Sequence, residues 1–264
     1  MDLPGITEVA PARLGAWRTG DAWLGGGTWL FSEPQPSVSR LLDLHAFGWP
    51  SLQAGPEGLE IAATCTLAEL ARLRAPQWPA APLIGQCCAA LLGSFKVWNV
   101  ATVGGNMCLA LPAGPMISLT SALDGSCEIW GPCDRVRNIP AATFVTGPGR
   151  SVLHPGELLR SVHLPARALA DTTAFRQLSL SPLGRSAAVV IGRRAADGSL
   201  VITVTASTTR PVQLRFAEFP GPADLRGALA SAEPQWHDDV HGLPAWREAI
   251  TGRLALEVLG ELTP

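Results

Sequence analysis

The sequence predicts an α+β protein, with a larger N-terminal region of helices and strands followed by a smaller C-terminal domain of antiparallel sheet plus helix. Two glycine clusters, at residues 25–27 and 104–105, stand beside apolar segments in the N-terminal region. Farther along, Asp197-Gly198 separates two β-branched apolar runs and indicates a hairpin. The last segment, residues 245–262, repeats its apolar residues at near-helical spacing.

Composition indicates a folded protein with a sizeable core. The chain has 264 residues, of which 47% are apolar and 16% charged, so disorder is not expected. Its net charge is −2 and it has no long basic run, so it shows no electrostatic footprint for nucleic acid. No segment approaches the ~18 uncharged apolar residues of a membrane span, and the N-terminus does not resemble a signal peptide. We therefore expect a cytoplasmic protein without a membrane span.

Short elements are predicted along the N-terminal region. Apolar runs indicate strands over residues 22–24, 41–44, 59–63 and 127–130. Thr66 and Glu69 form a capping-box pattern, which predicts a helix that runs to about residue 73. Pro82 suits the first turn of a second helix, which continues through Leu92 and ends at Gly93.

The later part of the chain is organised differently. Residues 116–123 predict a further helix after the second glycine cluster. The composition then shifts near residues 165–171, and the runs 187–192 and 200–206 predict strands on either side of the hairpin turn. We therefore expect a boundary near residue 167, with a smaller domain beyond it.

The two glycine clusters are the most informative local feature. The first reads Leu24-Gly25-Gly26-Gly27-Thr28-Trp29-Leu30, and the second reads Ala101-Thr102-Val103-Gly104-Gly105-Asn106. Glycine allows φ > 0 and lets an anion approach the backbone closely. We expect an apolar strand to deliver the threonine hydroxyl and the two glycines of the second cluster. Two such nests predict that a diphosphate lies between them, and therefore that the protein binds a dinucleotide.

Several other chemistries lack their motifs. The sequence has no G-x-x-x-x-G-K-[ST], no G-x-G-x-x-G that opens a helix, and no G-x-S-x-G elbow. His237 and His241 stand four residues apart, but without a third metal ligand we expect them to be exposed at the start of the final helix. No iron–sulfur spacing is present, so the cysteines are predicted to be buried free thiols: Cys65, Cys87, Cys88, Cys108, Cys127 and Cys133.

In this order, the two loops resemble those of the FAD-binding (medium) subunits of molybdenum hydroxylases of the xanthine dehydrogenase and carbon monoxide dehydrogenase type. The family's first loop reads like A-G-G-T-D-L, which the chain matches except at Trp29. The second reads like Q-I-R-N-x-A-T-I-G-G-N, which the chain matches from residue 96 to 106 except chiefly at Lys96 and Trp98. Weaker matches are Ala122-Leu123-Asp124, the P-G-E-L-L string at 155–159, Phe175-Arg176 at the family's Phe-Lys, and 239–242 with Trp246-Arg247.

The resemblance implies a PCMH-type (vanillyl-alcohol oxidase-like) two-subdomain FAD-binding domain over residues 1–167 and the C-terminal domain of the flavoprotein subunit over 168–264. The nests and the resemblance together imply no catalytic residue, no metal ligand and these cofactor-binding residues: Leu24, Gly25, Gly26, Gly27, Thr28, Trp29, Leu30, Leu92, Val97, Ala101, Thr102, Gly104, Gly105, Asn106, Leu158, Leu159 and Arg176.

One segment departs from the family pattern. After the second loop the family often has N-A-S-P-A-A-D, whereas this chain has Leu-Ala-Leu-Pro-Ala-Gly-Pro at 109–115. Trp29 and Trp98 stand where the family has an acid and an arginine. Each lost neutral hydrogen bond would cost about 0.5–1.5 kcal/mol of cofactor affinity.

The function implied by the resemblance is electron transfer through FAD. A large molybdopterin subunit would oxidise the substrate, and a small 2Fe-2S subunit would pass electrons to FAD on this chain, which hands them to NAD⁺ or another acceptor. Two alternatives stay open at this point. One is a non-catalytic structural subunit of the same assembly with a degenerate flavin site, and the other is a free-standing FAD oxidoreductase.

Overall fold

The structure is a computed structural model and describes residues 5–263. The strands are β1 (Glu8–Pro11), β2 (Asp21–Leu24), β3 (Arg40–Asp43), β4 (Leu52–Gly55), β5 (Gly58–Ala62), β6 (Ser126–Trp130), β7 (Val136–Pro140), β8 (Val145–Gly147), β9 (Arg150–Ser151), β10 (Leu158–Pro165), β11 (Thr172–Leu178), β12 (Ala188–Arg194), β13 (Leu200–Thr205) and β14 (Val212–Phe216). The helices are α1 (Leu67–Ala71), α2 (Ala81–Ala89), α3 (Phe95–Trp98), α4 (Val103–Leu109), α5 (Pro115–Ala122), α6 (Ala166–Leu169), α7 (Pro222–Ser231) and α8 (Pro244–Glu261).

A small parallel sheet begins the chain, in the order β1-β3-β2. Leu41 and Leu42 of β3 are both buried. The buried carboxylate of Asp21 accepts hydrogen bonds from the Arg40 guanidinium at 2.6 and 2.8 Å, which joins β2 to β3. This bond holds the pKa of Asp21 below its ordinary value, so the carboxylate stays charged at neutral pH. The bond between Asp21 and Arg40 therefore fixes the strand β2, which leads into the first glycine cluster.

An antiparallel sheet follows, in the order β4-β5-β10-β6-β7. Most apolar residues of β5, β6 and β10 belong to one core that also includes buried side chains of α1, α2, α4 and α5. Every residue of α5 is buried. Because α5 contacts α2 and α4 on one side and β12 and β13 on the other, it is shared by the two parts of the chain.

The C-terminal sheet is a meander in the order β11-β12-β13-β14. All residues of β13 are buried, because α5 covers one face of the sheet and α8 covers the other. Side chains on β12 alternate accordingly. Val189 and Ile191 join the core around α5, and Val190 joins the core under α8. Because both faces of this sheet are covered, the sequences of its central strands are continuous apolar runs.

Most predicted elements are present. The strands near residues 22, 41, 59 and 127, the hairpin between β12 and β13, and the final helix all occur as expected. Thr66 and Glu69 form the predicted capping box at the start of α1. Two predictions were wrong. α2 ends at Ala89, three residues before Leu92, and the second glycine cluster begins a helix instead of ending a strand.

Two buried arginines tie the C-terminal sheet to its surroundings. Arg193 on β12 donates to the Ala122 carbonyl at the end of α5 (2.9 Å) and pairs with Asp124 and Asp171. Arg247 on α8 is 1% exposed and donates to the carbonyls of Ala187 and Ala206, both at 2.6 Å. It also bonds the Gly242 carbonyl and the Asp239 carboxylate.

The Arg247 network predicts a large stability effect. Replacing Arg247 by Met leaves three carbonyls and the Asp239 carboxylate without their donor, so the free energy of unfolding should fall by about 3–5 kcal/mol. Urea unfolding measures this. The matched control is Arg253→Met on the same helix, which removes only an exposed pair with Glu257. The control should cost about 0.5 kcal/mol or less; equal losses in the two variants would contradict the network.

A second prediction concerns pH. Glu157 is 8% exposed, and a bidentate bond from Arg137 at 2.6 and 3.0 Å holds its pKa below the ordinary value. A depressed carboxyl pKa contributes stability above the unfolded value, about 4.3, and this stability is lost as pH falls through the folded value. Glu157→Gln should therefore lower the unfolding free energy by about 2 kcal/mol at pH 7 and by progressively less toward pH 3.

The control for this series is Glu248→Gln, at an exposed position on α8. Urea titrations at several pH values should show no pH-dependent difference between that control and the original protein. A Glu157→Gln deficit that stays constant between pH 7 and pH 3 would contradict the assignment.

Candidate functional site

A cleft of about 530 Å³ lies between the first glycine cluster and the beginning of α4. Its remaining walls come from the end of α2, the segment after α4, and a short stretch before β12. The lining residues are Trp23, Leu24, Gly25, Gly26, Gly27, Thr28, Trp29, Leu30, Ala90, Leu91, Leu92, Val97, Ala101, Thr102, Gly105, Asn106, Cys108, Leu109, Leu111, Ala113, Gly114, Arg185 and Ser186. This volume is in the range of small-molecule sites, roughly 300–1,000 Å³.

The first cluster forms an open loop that presents backbone donors. β2 ends at Leu24, and Gly27 has φ +70°, a left-handed conformation that favours glycine. The loop closes through hydrogen bonds from Phe31 N–H to the Gly27 carbonyl and from Ser32 N–H to the Trp29 carbonyl. Within residues 5–263, the five consecutive N–H groups from residue 26 to residue 30 have no protein acceptor. These residues are half-buried or exposed, so the row of unpaired donors at the edge of the cleft is open to an acceptor from outside the protein.

The second cluster is not a nest. Thr102 caps α4 by accepting the Gly105 N–H at 3.0 Å. The Val103 and Gly104 N–H groups donate to the carbonyls of Cys65 and Ala63, at 2.8 and 2.9 Å. Each of these backbone donors is therefore used inside the protein, and the prediction of a second backbone nest was wrong. The cluster anchors α4 to the segment between β5 and α1.

The two clusters touch each other. A Cβ on Gly26 would lie 1.7 Å from the Val100 carbonyl oxygen, and one on Gly25 would lie 2.9 Å from the Thr102 hydroxyl. A Cβ on Gly104 would lie 2.5 Å from the Ala63 Cβ. Gly26 and Gly104 therefore lie where another backbone approaches closely, and Gly25 packs against the Thr102 side chain; none of the three has a left-handed φ. The contact aligns the free amides of the first loop with the start of α4.

Side chains add a small number of polar groups. The Thr102 hydroxyl retains its proton for donation, because it acts only as an acceptor in the cap. Asn106 lines the cleft and accepts the Met116 N–H through Oδ1 at 3.0 Å, and its NH₂ group has no acceptor among the described residues. Burial raises the pKa of the Cys108 thiol to about 12, so it is neutral. Arg185 is the one charged side chain among the described lining residues.

Most of the predicted site residues line this cleft. The four that do not are Gly104, Leu158, Leu159 and Arg176. Gly104 is buried against Ala63, and the two leucines are buried in the cores beneath β10. Arg176 pairs with Glu257 and Glu261 of α8, because its position on β11 faces that helix. Its assignment to the cofactor site is therefore corrected.

The residue on β11 that faces the cleft side is Gln177. Its Nε2 donates to the Ser186 hydroxyl at 2.8 Å, and Ser186 lines the cleft. Side chains alternate along a strand, so a one-residue difference changes the face. Sequence reasoning also missed Trp23, whose indole N–H donates to the Glu157 carbonyl at 2.9 Å, and Arg185, which lies in a loop without any motif.

Only part of the segment 109–115, which departs from the family pattern, lines the cleft. Leu109 and Leu111 line the cleft with apolar side chains. Pro115 is buried as the first residue of α5, outside the cleft lining. Trp98 also lies outside it, with its indole N–H directed at the Leu91 carbonyl. The loss of polar anchors thus concerns the wall around Leu109.

Two other expectations need correction. His237 and His241 are half-buried in the loop before α8 and are not part of its first turn. Four of the six cysteines are buried as predicted, but Cys108 is half-buried and Cys133 is exposed. Among residues 5–263 no group of three His, Cys, Asp or Glu side chains is arranged to hold a metal ion.

None of the helices described is both long enough and apolar enough to cross a membrane.

Sequence comparison finds relatives of two kinds. Over 149 residues, 53% of this chain and 10% of the relative, the chain is 32% identical to xanthine dehydrogenase from Oryza sativa subsp. japonica. It is 23% identical over 192 residues to the medium chain of carbon monoxide dehydrogenase from Hydrogenophaga pseudoflava, covering 67% of this chain and 66% of that one. The chain thus spans only about a tenth of the plant enzyme's length.

The fold matches solved structures along its whole length. A chain of carbon monoxide dehydrogenase from Hydrogenophaga pseudoflava superposes with a TM-score of 0.83 at 18% identity, covering 98% of both chains. A chain of the Oligotropha carboxidovorans enzyme gives 0.81 at 20% identity, covering 100% of both. The family model described as "FAD binding domain in molybdopterin dehydrogenase" matches residues 19–167, which include both glycine clusters and more than half of the sequence. The chain therefore belongs to the family of FAD-binding domains of molybdopterin dehydrogenases.

Proposed function

We propose that this chain is the FAD-binding electron-transfer subunit of a multi-subunit molybdenum hydroxylase of the xanthine dehydrogenase type. The observation that carries the proposal is the row of free N–H groups at residues 26–30, which face a cleft next to the Thr102 hydroxyl. Such a row suits the oxygen atoms of a diphosphate, which are strong hydrogen-bond acceptors. FAD supplies the redox chemistry when it is bound, and the protein supplies position and surroundings.

The residues of the cleft fit FAD in three respects. The free amides of the first loop would bind the diphosphate, and the Thr102 hydroxyl and the Asn106 NH₂ group would donate to oxygens next to it. Trp23 and Trp29 offer aromatic surface to a flat ring. The leucines at 91, 92, 109 and 111 would exclude water from the bound molecule.

The rest of the proposal follows from what the cleft lining contains. Among the described lining residues there is no histidine, aspartate, glutamate or lysine that could act as an acid or a base toward an organic substrate. We therefore place substrate oxidation on a large molybdopterin-containing partner and propose a 2Fe-2S partner as the electron donor, with NAD⁺ or another molecule as acceptor. This assignment is preferred over the free-standing oxidoreductase.

We extend the proposal to the organisation of the chain. Residues 1–167 would form a PCMH-type FAD-binding domain of two subdomains, the β1–β3 sheet and the larger sheet with its helices. Residues 168–264 would form the C-terminal domain of the flavoprotein subunit, and the assembly would be cytoplasmic. The cofactor-binding residues would be those that line the cleft, with Arg185 and Ser186 added from the C-terminal domain.

The proposal is tested by purifying an affinity-tagged chain from its native host. We expect a visible flavin spectrum, release of FAD and not FMN on heating, and co-elution of molybdenum and iron with two further subunits on size exclusion. The structural-subunit alternative predicts the same partners without flavin. A monomeric flavoprotein that oxidises an organic substrate without molybdenum would contradict the proposal in favour of the free-standing enzyme.

A substitution tests the loop itself. Gly26→Ala places a Cβ 1.7 Å from the Val100 carbonyl oxygen and must push the two loops apart. Losing two amide bonds to a charged diphosphate, about 3 kcal/mol together, should weaken FAD binding roughly 100-fold. Fluorescence titration of the apoprotein measures this, with circular dichroism to confirm the fold. The control is Gly227→Ala on α7, where a Cβ meets no atom within 4 Å; it should bind FAD normally.

A further inference from the structure

The cleft is unusual in its formal charge. The lining residues that the structure describes include no carboxylate and one cation, Arg185. Cys108 stays neutral, because burial raises its pKa to about 12. The free amides of the first loop carry only partial charges. A negative charge that develops inside this cleft therefore has Arg185 as its one fully charged partner.

Arg185 is available for this role. Among residues 5–263 its guanidinium has no hydrogen-bond or ion-pair partner, and the side chain is exposed. Other arginines near domain contacts, such as Arg193 and Arg247, are buried and fully bonded. The backbone that follows Arg185 is held in place by the buried contacts of the next two residues. Ser186 is 2% exposed and bonded to Gln177, and the Ala187 carbonyl accepts from Arg247.

The contacts place Arg185 on a different wall from the amide row. The amide row lies against residues 100–102 through Gly25 and Gly26. The Arg247 guanidinium donates to the carbonyls of both Ala187 and Ala206. The Ala206 N–H in turn donates to the Pro112 carbonyl at 2.9 Å. These bonds connect the segment that follows Arg185 to Pro112, so we assign Arg185 to the wall of residues 109–114. A diphosphate on the amide row would direct one end of the dinucleotide toward this wall.

The two ends of FAD differ in what they gain from a cation. Adenine is neutral throughout the reaction cycle. When FAD is bound, its isoalloxazine ring would carry one negative charge after reduction by two electrons from the proposed iron–sulfur partner and uptake of one proton from solvent. A nearby positive charge stabilises that reduced form and leaves the neutral oxidised form almost unaffected. Of the two ends of FAD, only the ring would therefore gain on reduction from lying at the Arg185 wall.

We propose that Arg185 lies beside the isoalloxazine ring of bound FAD and raises its reduction potential by stabilising the reduced anion. The inference rests on the proposed function and adds a residue from the C-terminal domain that tunes the cofactor. The loop that carries Arg185 thereby links the position of the C-terminal domain to the potential of the flavin. Arg185 acts as a positioning and tuning residue, without bond formation to the cofactor.

The experiment compares the reduction potential of bound FAD in the purified holoprotein and its variants by spectroelectrochemical titration. Arg185→Gln should weaken the reduced form about 10-fold relative to the oxidised form, which corresponds to a potential about 30 mV lower for a two-electron couple. Arg185→Lys keeps the charge and should restore most of the difference. Arg226→Gln, which removes an exposed arginine of α7 outside the cleft, is the matched control and should keep the original potential.

Fluorescence titration of each apoprotein with oxidised FAD separates the other outcomes. We expect Arg185→Gln to change this affinity less than 3-fold. An unchanged potential in Arg185→Gln would overturn the inference, and so would equal weakening of both redox forms, which would assign the arginine to the diphosphate. Complete loss of oxidised FAD from Arg185→Gln would overturn it in the same way. If the original protein binds no FAD, the proposed function itself fails.

Discussion

The candidate site depends on one backbone contact, that of Gly26 with the carbonyl of Val100. No side chain fits between them, since even a Cβ would lie 1.7 Å from the oxygen. The contact holds the end of β2 against the turn that precedes α4. As a result, donors from two segments far apart in sequence face one cleft. The row of free N–H groups is the consequence, because residues 26–30 have turned away from any strand partner.

The second requirement is a fixed position for the C-terminal sheet. α5 is buried along its whole length and contacts β12 and β13, and its Ser118 bonds Thr205 at 2.6 Å. Arg193 links β12 to the Ala122 carbonyl at the end of α5, and Arg247 fixes α8 to the carbonyls of Ala187 and Ala206 beside β12 and β13. These are buried and charge-assisted bonds, for which loss of one partner is costly. They bring Arg185 and Ser186 to a cleft that is otherwise built by the N-terminal region.

The chemistry of the cleft follows from this division. The N-terminal region contributes neutral donors and apolar walls, and the loop between β11 and β12 contributes the charge. A cleft with backbone donors and no acid or base is suited to hold a cofactor that performs its own chemistry. The apolar wall at Leu109 and Leu111 replaces polar residues of the family pattern, and the free amides are unaffected by that replacement because they belong to the backbone.

The sequence by itself determined the local elements and the family. The capping box at Thr66, the Asp197-Gly198 hairpin and the final helix depend on interactions within a few residues, so their patterns are visible in one segment. It also located most of the cleft through the glycine clusters.

Only the tertiary structure decided how those glycines act. Whether an N–H is free or bonded depends on which segment lies beside it, and the second cluster proved to be a helix start with its donors used. The face of β11 was decided in the same way: strand register and the packing of α8 turn Arg176 toward Glu257 and leave Gln177 toward the cleft. Arg185 carries no sequence pattern, and its role follows only from the long-range contacts that place its loop.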